Sequence, residues 1–164
     1  MKKPTPLIGT IVIGLVLFSQ ALIGDDAKRL AELDAYWAEV SRAVQSGDFA
    51  GYKATCHPKG VLVNGISGIS YPLTQALVRW KPGIDATRTG KQRANVTFRF
   101  NKRVGDETTA HDTGMFRYSS TDTNGVETTS YIHLEALLIK EDRWLIMMEY
   151  QKSRGTEAEW KALR

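Results

Sequence analysis

Over residues 25–46 the apolar positions Leu30, Leu33, Trp37, Val40 and Val44 follow steps of three and four, which draws one stripe along a helix. Asp25 and Asp26 stand where the helix dipole favours acids, and Gly47 is placed to end the helix. Asp48 then caps a shorter second helix that runs to about Cys56 and buries Phe49 and Tyr52, with Pro58 as its stop. A short strand is expected over residues 61–63. A third helix is expected over residues 72–80, with proline in its first turn, followed by a loop over 81–90. Beyond this point the period changes. Four runs rich in β-branched and aromatic residues, 94–104, 108–120, 128–140 and 143–152, read as strands, and residues 156–163 add a terminal helical turn. The pattern predicts an α+β domain of three N-terminal helices packed on a curved, mainly antiparallel sheet.

The strand junctions read as two-residue turns at Gly105-Asp106, Asn124-Gly125 and Glu141-Asp142. Turn length sets register, so this choice pairs Arg99 with Asp112 and His133 with Tyr150, and places Glu135 one row from Asp112. One sheet face then carries Arg99, Asp112, Glu135, His133, Phe116, Leu137, Trp144, Ile146, Met148 and Tyr150. The other carries Val96, Phe98, Phe100, Met115, Ile132, Leu134, Ala136, Leu138, Leu145 and Met147, and is apolar throughout.

Two packings fit such a sheet. Either the apolar face meets the helices and the mixed face meets water, or the mixed face curls round a pocket roofed by the helices and the apolar face is buried against a partner chain. The second accounts for Trp144, Ile139, Ile146 and Leu137, poor choices for open solvent, and is the expectation adopted. It implies a homodimer through the apolar face.

With 164 residues, 42% hydrophobic and 24% charged, the chain supports one domain and is too apolar for disorder. Residues 1–24 have a separate character: a basic start at Lys2 and Lys3, an uncharged apolar run over 7–18, and the small or polar Ser19, Gln20 and Ala21. This is the layout of a secretory signal cleaved before Leu22 or after Gly24, leaving a domain over residues 25–164. The alternative is an uncleaved anchor over 7–23, at the lower edge of what spans a bilayer. Both readings place the domain outside the cytoplasm, periplasmic or secreted, and only the anchor brings a membrane into play. The net charge of +4 includes the two leader lysines, so the domain offers no case for nucleic acid. Cys56 is the only thiol, and with His57, His111 and His133 it makes no metal-ligand spacing, so neither metal nor cofactor is expected. The Asn95-Val96-Thr97 sequon falls inside a strand and is discounted.

Three further features carry a family resemblance: the Ser46-Gly47-Asp48 step between the first two helices, Ala110 with Gly114 on the middle strand, and Asp142-Arg143-Trp144 ahead of an alternating apolar strand. Their order resembles the nuclear transport factor 2-like superfamily, which includes the SnoaL-like and ketosteroid isomerase-like proteins. The resemblance implies a sheet wrapped round a long helix into a cone with an apolar pocket, and often a dimer through the sheet. The isomerase chemistry does not carry over. Val40 stands where that enzyme has its helix tyrosine and Asn64 where it has its proton-abstracting carboxylate, so an oxyanion donor and the base are both absent. The limonene epoxide hydrolase branch, which holds an arginine between two acids with an asparagine nearby, resembles Arg99, Asp112, Glu135 and Asn64. Here the arginine and Asp112 lie on different strands, and Leu62 replaces that branch's tyrosine.

These readings lead to an exported binding domain for an apolar or aromatic small molecule with a polar end, lined by Trp37, Asn64, Phe116, Leu137, Trp144, Ile146, Met148 and Tyr150. An enzyme adding or removing water through Asp112, Arg99, Glu135 and His133 is the alternative. A protein-interaction module using the apolar face is the third. Cys56 beside His57 makes no dyad, because adjacent helical residues point apart.

Overall fold

The computed structural model describes the backbone of residues 12–163 and the side chains of residues 26–163. The leader expected over residues 1–24 therefore lies outside the described side chains, and its first eleven residues outside the described backbone. Helix α1, Val12–Ser46, begins inside the apolar run. Among the described residues no helix is long and apolar enough to cross a membrane. Next come α2, Phe49–Ala54, β1, Cys56–Asn64, β2, Ile69–Pro72, and α3, Leu73–Arg88. Four long strands complete the sheet: β3, Gln92–Gly105, β4, Thr109–Asp122, β5, Glu127–Lys140, and β6, Trp144–Arg154. The short α4, Glu157–Ala162, ends the described chain.

The local signals act as expected at α2, where Asp48 Oδ1 accepts the Gly51 N–H at 2.8 Å. Gly47 adopts φ 69°, which lets the chain turn out of α1. Three stretches differ from expectation, the first being α1, which runs back to Val12 and so holds Asp25 and Asp26 within it and not in its first turn. The short strand at 61–63 is one arm of a β1/β2 hairpin, and α3 continues through the expected loop to Arg88 with Pro82 inside it. Proline there removes one backbone bond, to the carbonyl four residues back at the exposed Val78.

The sheet is mixed, ordered β2-β1-β6-β5-β4-β3, with only β1 and β6 parallel. Its register differs from the sequence reading because none of the three turns has two residues. The first hairpin closes through residues 106–108, where Asp106 Oδ1 accepts the Thr108 and Thr109 N–H groups at 2.8 Å. The second loop spans 123–126, with Asp122 Oδ1 accepting from Asn124 and Val126. The third spans 141–143. Three strand irregularities compound this, each leaving one residue unpaired: Asn101 in β3, Met147 in β6 and Lys152 in β6. Arg99 therefore faces Met115 and not Asp112, whose partner is Arg103. His133 faces Ser153 and not Tyr150, whose partner is Glu135.

The face assignment is corrected as well. Val96, Ile132, Leu134, Ala136 and Leu138 are buried and belong to one core with Leu33, Tyr36, Trp37, Val40 and Val44 of α1. The apolar face thus packs on the helices, and Leu134 at 1% exposure is core. Fully burying a leucine stabilises by roughly 1.5–3 kcal/mol, so Leu33, Leu62, Leu134 and Leu138 alone commit α1 to this face. A homodimer cannot use the surface on which it was argued. The outer face is polar and half-buried, and α4 covers part of it: Trp160 is buried, and Arg99 donates to the Trp160 and Leu163 carbonyls at 2.9 Å each.

Candidate functional site

Between α1, α3 and the inner sheet face lies a hollow of about 680 Å³, within the range that holds a drug-sized ligand. Its walls are aromatic and aliphatic. α1 contributes Tyr36, Trp37, Val40 and Val44, α3 contributes Trp80 and Ile84, and the sheet contributes Val96, Phe98, Phe116, Tyr118, Ile132, Leu134 and Ile146. The rings are in mutual contact: Trp37 lies 4.4 Å from Phe98 and 5.0 Å edge-on from Tyr36, and Tyr52 meets Trp80 edge-on at 5.9 Å. The hollow opens where exposed residues join its lining, at Ile66, Ser67, Arg79 and Arg154.

Next to its closed end sits Asp112, fully buried. Its two oxygens are both engaged, one by the Trp37 indole N–H at 2.8 Å and the other by Arg103 Nε at 3.2 Å. Arg103 also bonds Asp34, and its guanidinium lies 4.8 Å over the Phe100 ring. A buried acid with both oxygens paired is held in place and does not line the hollow.

Glu149 does line it. The unpaired Met147 shifts the alternation of β6, so Ile146 faces inward, and so do Glu149 and Gln151, while Met148 and Tyr150 turn out. Gln151 Nε2 donates to Glu149 Oε1 at 2.7 Å and is the one hydrogen-bond partner found for that carboxylate among the described residues. Burial pushes the Glu149 carboxyl above its ordinary value, and the Gln151 bond opposes that only in part. Burial likewise raises Tyr36 and Tyr52 well above the usual phenol value; the Tyr36 hydroxyl donates to the Thr55 carbonyl at 3.2 Å. Cys56 is pushed up to about 12 by burial, so its thiol stays protonated and is a poor nucleophile. A carboxyl of raised pKa in an apolar hollow can donate a hydrogen bond to a ligand oxygen or exchange a proton with it.

The other residues singled out in the sequence scatter. Trp37, Asn64, Phe116 and Ile146 line the hollow, and Trp144 is buried in the core beside it, its indole donating to Glu32 at 3.0 Å. Leu137 is exposed on the outer face, where Met148 and Tyr150 also point. Of the four acid–base candidates only Asp112 is on the inner face. Arg99 is clamped on α4, Glu135 pairs with Lys152 and lies 3.4 Å from His111, and His133 lies 3.5 Å from Glu159. The arginine between two acids expected for water activation is thus not assembled. Asn64 spends its side-chain oxygen on the Ser67 N–H at 3.0 Å. Among the described residues no cluster of three metal-ligating side chains occurs. Sequence reasoning missed Glu149. The apolar run 144–148 gave no signal for it, because such a run reads as a strand buried on both faces whether or not it carries a bulge.

No protein-family model matches the chain, and no curated protein matches it in sequence. Solved structures do. A conserved protein from Planctomyces limnophilus superposes with a TM-score of 0.63 at 11% identity, covering 76% of this chain and 94% of its own. A ketosteroid isomerase-like protein from Erwinia carotovora atroseptica gives 0.54 at 17%, over 74% and 92%. A protein from Catenulispora acidiphila, solved in complex with S-DNPA, gives 0.56 at 18%, over 75% and 91%. The chain shares the fold of these structures, a ketosteroid isomerase-like protein among them, which is the fold that the sequence resemblance implied.

Proposed function

We propose that this is an exported small-molecule-binding domain whose sheet and helices form a cone round the ligand. The ligand's apolar or aromatic body sits in the hollow, and its oxygen meets Glu149. The observation that carries this reading is a carboxyl of raised pKa on the wall of an aromatic cavity, tied to the protein by Gln151 and in place to bond a polar ligand atom. The Catenulispora structure, solved in complex with S-DNPA, supports it by analogy of fold. Titration with the neutral dye N-phenyl-naphthylamine tests it. Saturable one-site binding with energy transfer from Trp37 and Trp80 is expected, and Ile132→Trp, which fills the hollow, should abolish it. A linear, unsaturable response overturns the reading. Export is supported by the basic start and apolar run of residues 1–24. Protein recovered from outside the cytoplasm should begin near Leu22 or Asp25, and a full-length chain held in membranes would favour the anchor.

A second reading, an enzyme, now depends on Glu149 alone. Its raised carboxyl suits general acid–base work, whereas Arg99, Glu135 and His133 are on the far side of the sheet.

A further inference from the structure

We infer that the ligand of this hollow is an organic anion: an apolar ring system against Trp37, Trp80 and Phe116, with a carboxylate- or sulfonate-type group met at the mouth by Arg79 and Arg154. The inference rests on the small-molecule reading above and adds the sign of the ligand's charge.

The charges lining the hollow are unevenly placed. Arg79 and Arg154 are the two basic residues of the lining, both exposed, and neither is in an ion pair with an acid among the described residues. Arg79 packs over the Tyr71 ring, its guanidinium carbon 4.5 Å from the ring centroid, a contact that restrains the side chain. Arg154 comes to the same opening because the unpaired Lys152 shifts the alternation of β6 a second time. The one acid of the lining, Glu149, lies further in, and its surroundings favour the neutral form. An entering organic cation would therefore pass two guanidinium groups to reach a carboxyl that resists ionising. An anion is drawn to the mouth, keeps its charge there in reach of water, and offers only its apolar body and any neutral oxygen to the interior.

Two dyes of one skeleton decide the matter. Anilinonaphthalene sulfonate is N-phenyl-naphthylamine carrying a single sulfonate. The parent protein should bind the sulfonate about three- to tenfold more tightly, as expected for two exposed charge contacts. Arg79→Gln combined with Arg154→Gln should remove that preference while leaving the affinity for the neutral dye within about twofold, which also shows that the variant is folded. Equal affinities in the parent, or tighter binding of the neutral dye, overturn the anion and leave small-molecule binding standing. A sulfonate preference that survives the double substitution overturns the assignment to these arginines. Failure of both dyes to bind overturns the reading of the hollow itself.

Discussion

Asp112 and Glu149 stand on the inner face of one sheet, two strands apart, and their surroundings could hardly differ more. Asp112 is fully buried with an indole N–H on one oxygen and a guanidinium on the other. Glu149 is bonded by one amide, that of Gln151, and lies on the wall of the aromatic hollow. The first acid ties α1 to β3 and β4 and has no lone pair well placed for anything else. The second has a single such tie, to Gln151 on its own strand. Burial of an acid thus says little about its role until its partners are counted.

Breaking the first of these arrangements should have the largest effect. Asp112→Ala leaves the Trp37 N–H and the Arg103 Nε–H without their buried acceptor, with only Asp34 left to the guanidinium, and should cost about 3–5 kcal/mol in urea denaturation. A loss below about 1 kcal/mol would show that the network is not structural. Trp37→Phe removes one donor and keeps the ring, so a cost of about 1–3 kcal/mol is expected by the same measurement.

The contrast sharpens with pH at Glu149. Its carboxyl is raised in the folded chain, so the native state binds the proton more tightly than the unfolded state does. The acid's stability contribution is then full below the ordinary carboxylate range and is lost as pH rises through the folded value. Glu149→Gln cannot ionise and its amide oxygen can still accept from Gln151. It should melt above the parent at neutral and mildly alkaline pH, with the gap closing on acidification, as read by thermal scans across pH. An unchanged or lowered melting temperature at neutral pH would mean that Glu149 is charged and paired. The smallest effect on the hollow is expected from Arg99→Ala. It should speed amide exchange in α4 and leave dye binding unaltered, because Arg99 belongs to the outer face.

Much of this was legible before any coordinates. The stripe from Leu33 to Val44, the Asp48 cap and the four strand runs each follow from local chemistry, and the order of elements carried the fold. Register did not follow, because it depends on loop lengths that side chains at the strand ends decide. Asp106 and Asp122 each capture two backbone N–H groups and thereby enlarge their loops beyond two residues. An arginine does stand opposite Asp112, but it is Arg103 and not Arg99, because the chain turns later, over residues 106–108. Glu149 escapes a sequence reading because the apolar face it shares with Leu134 and Ala136 is there assigned to a partner chain and not to the hollow.

That methionine behaves like an inserted letter in a message read two at a time. Everything on β6 between it and Lys152 is read in the other frame, and the interior receives Glu149 and Gln151 where an uninterrupted strand would have delivered Met148 and Tyr150. Carrying the bulge along the strand to a point beyond Gln151 would turn Met148 and Tyr150 inward instead, exchanging an acid and an amide for a thioether and a phenol without a single substitution. A family built on this sheet can therefore change what its interior says by moving a single bulge, and two relatives with the same strand sequence but a different count ahead of it would present different chemistry to whatever enters.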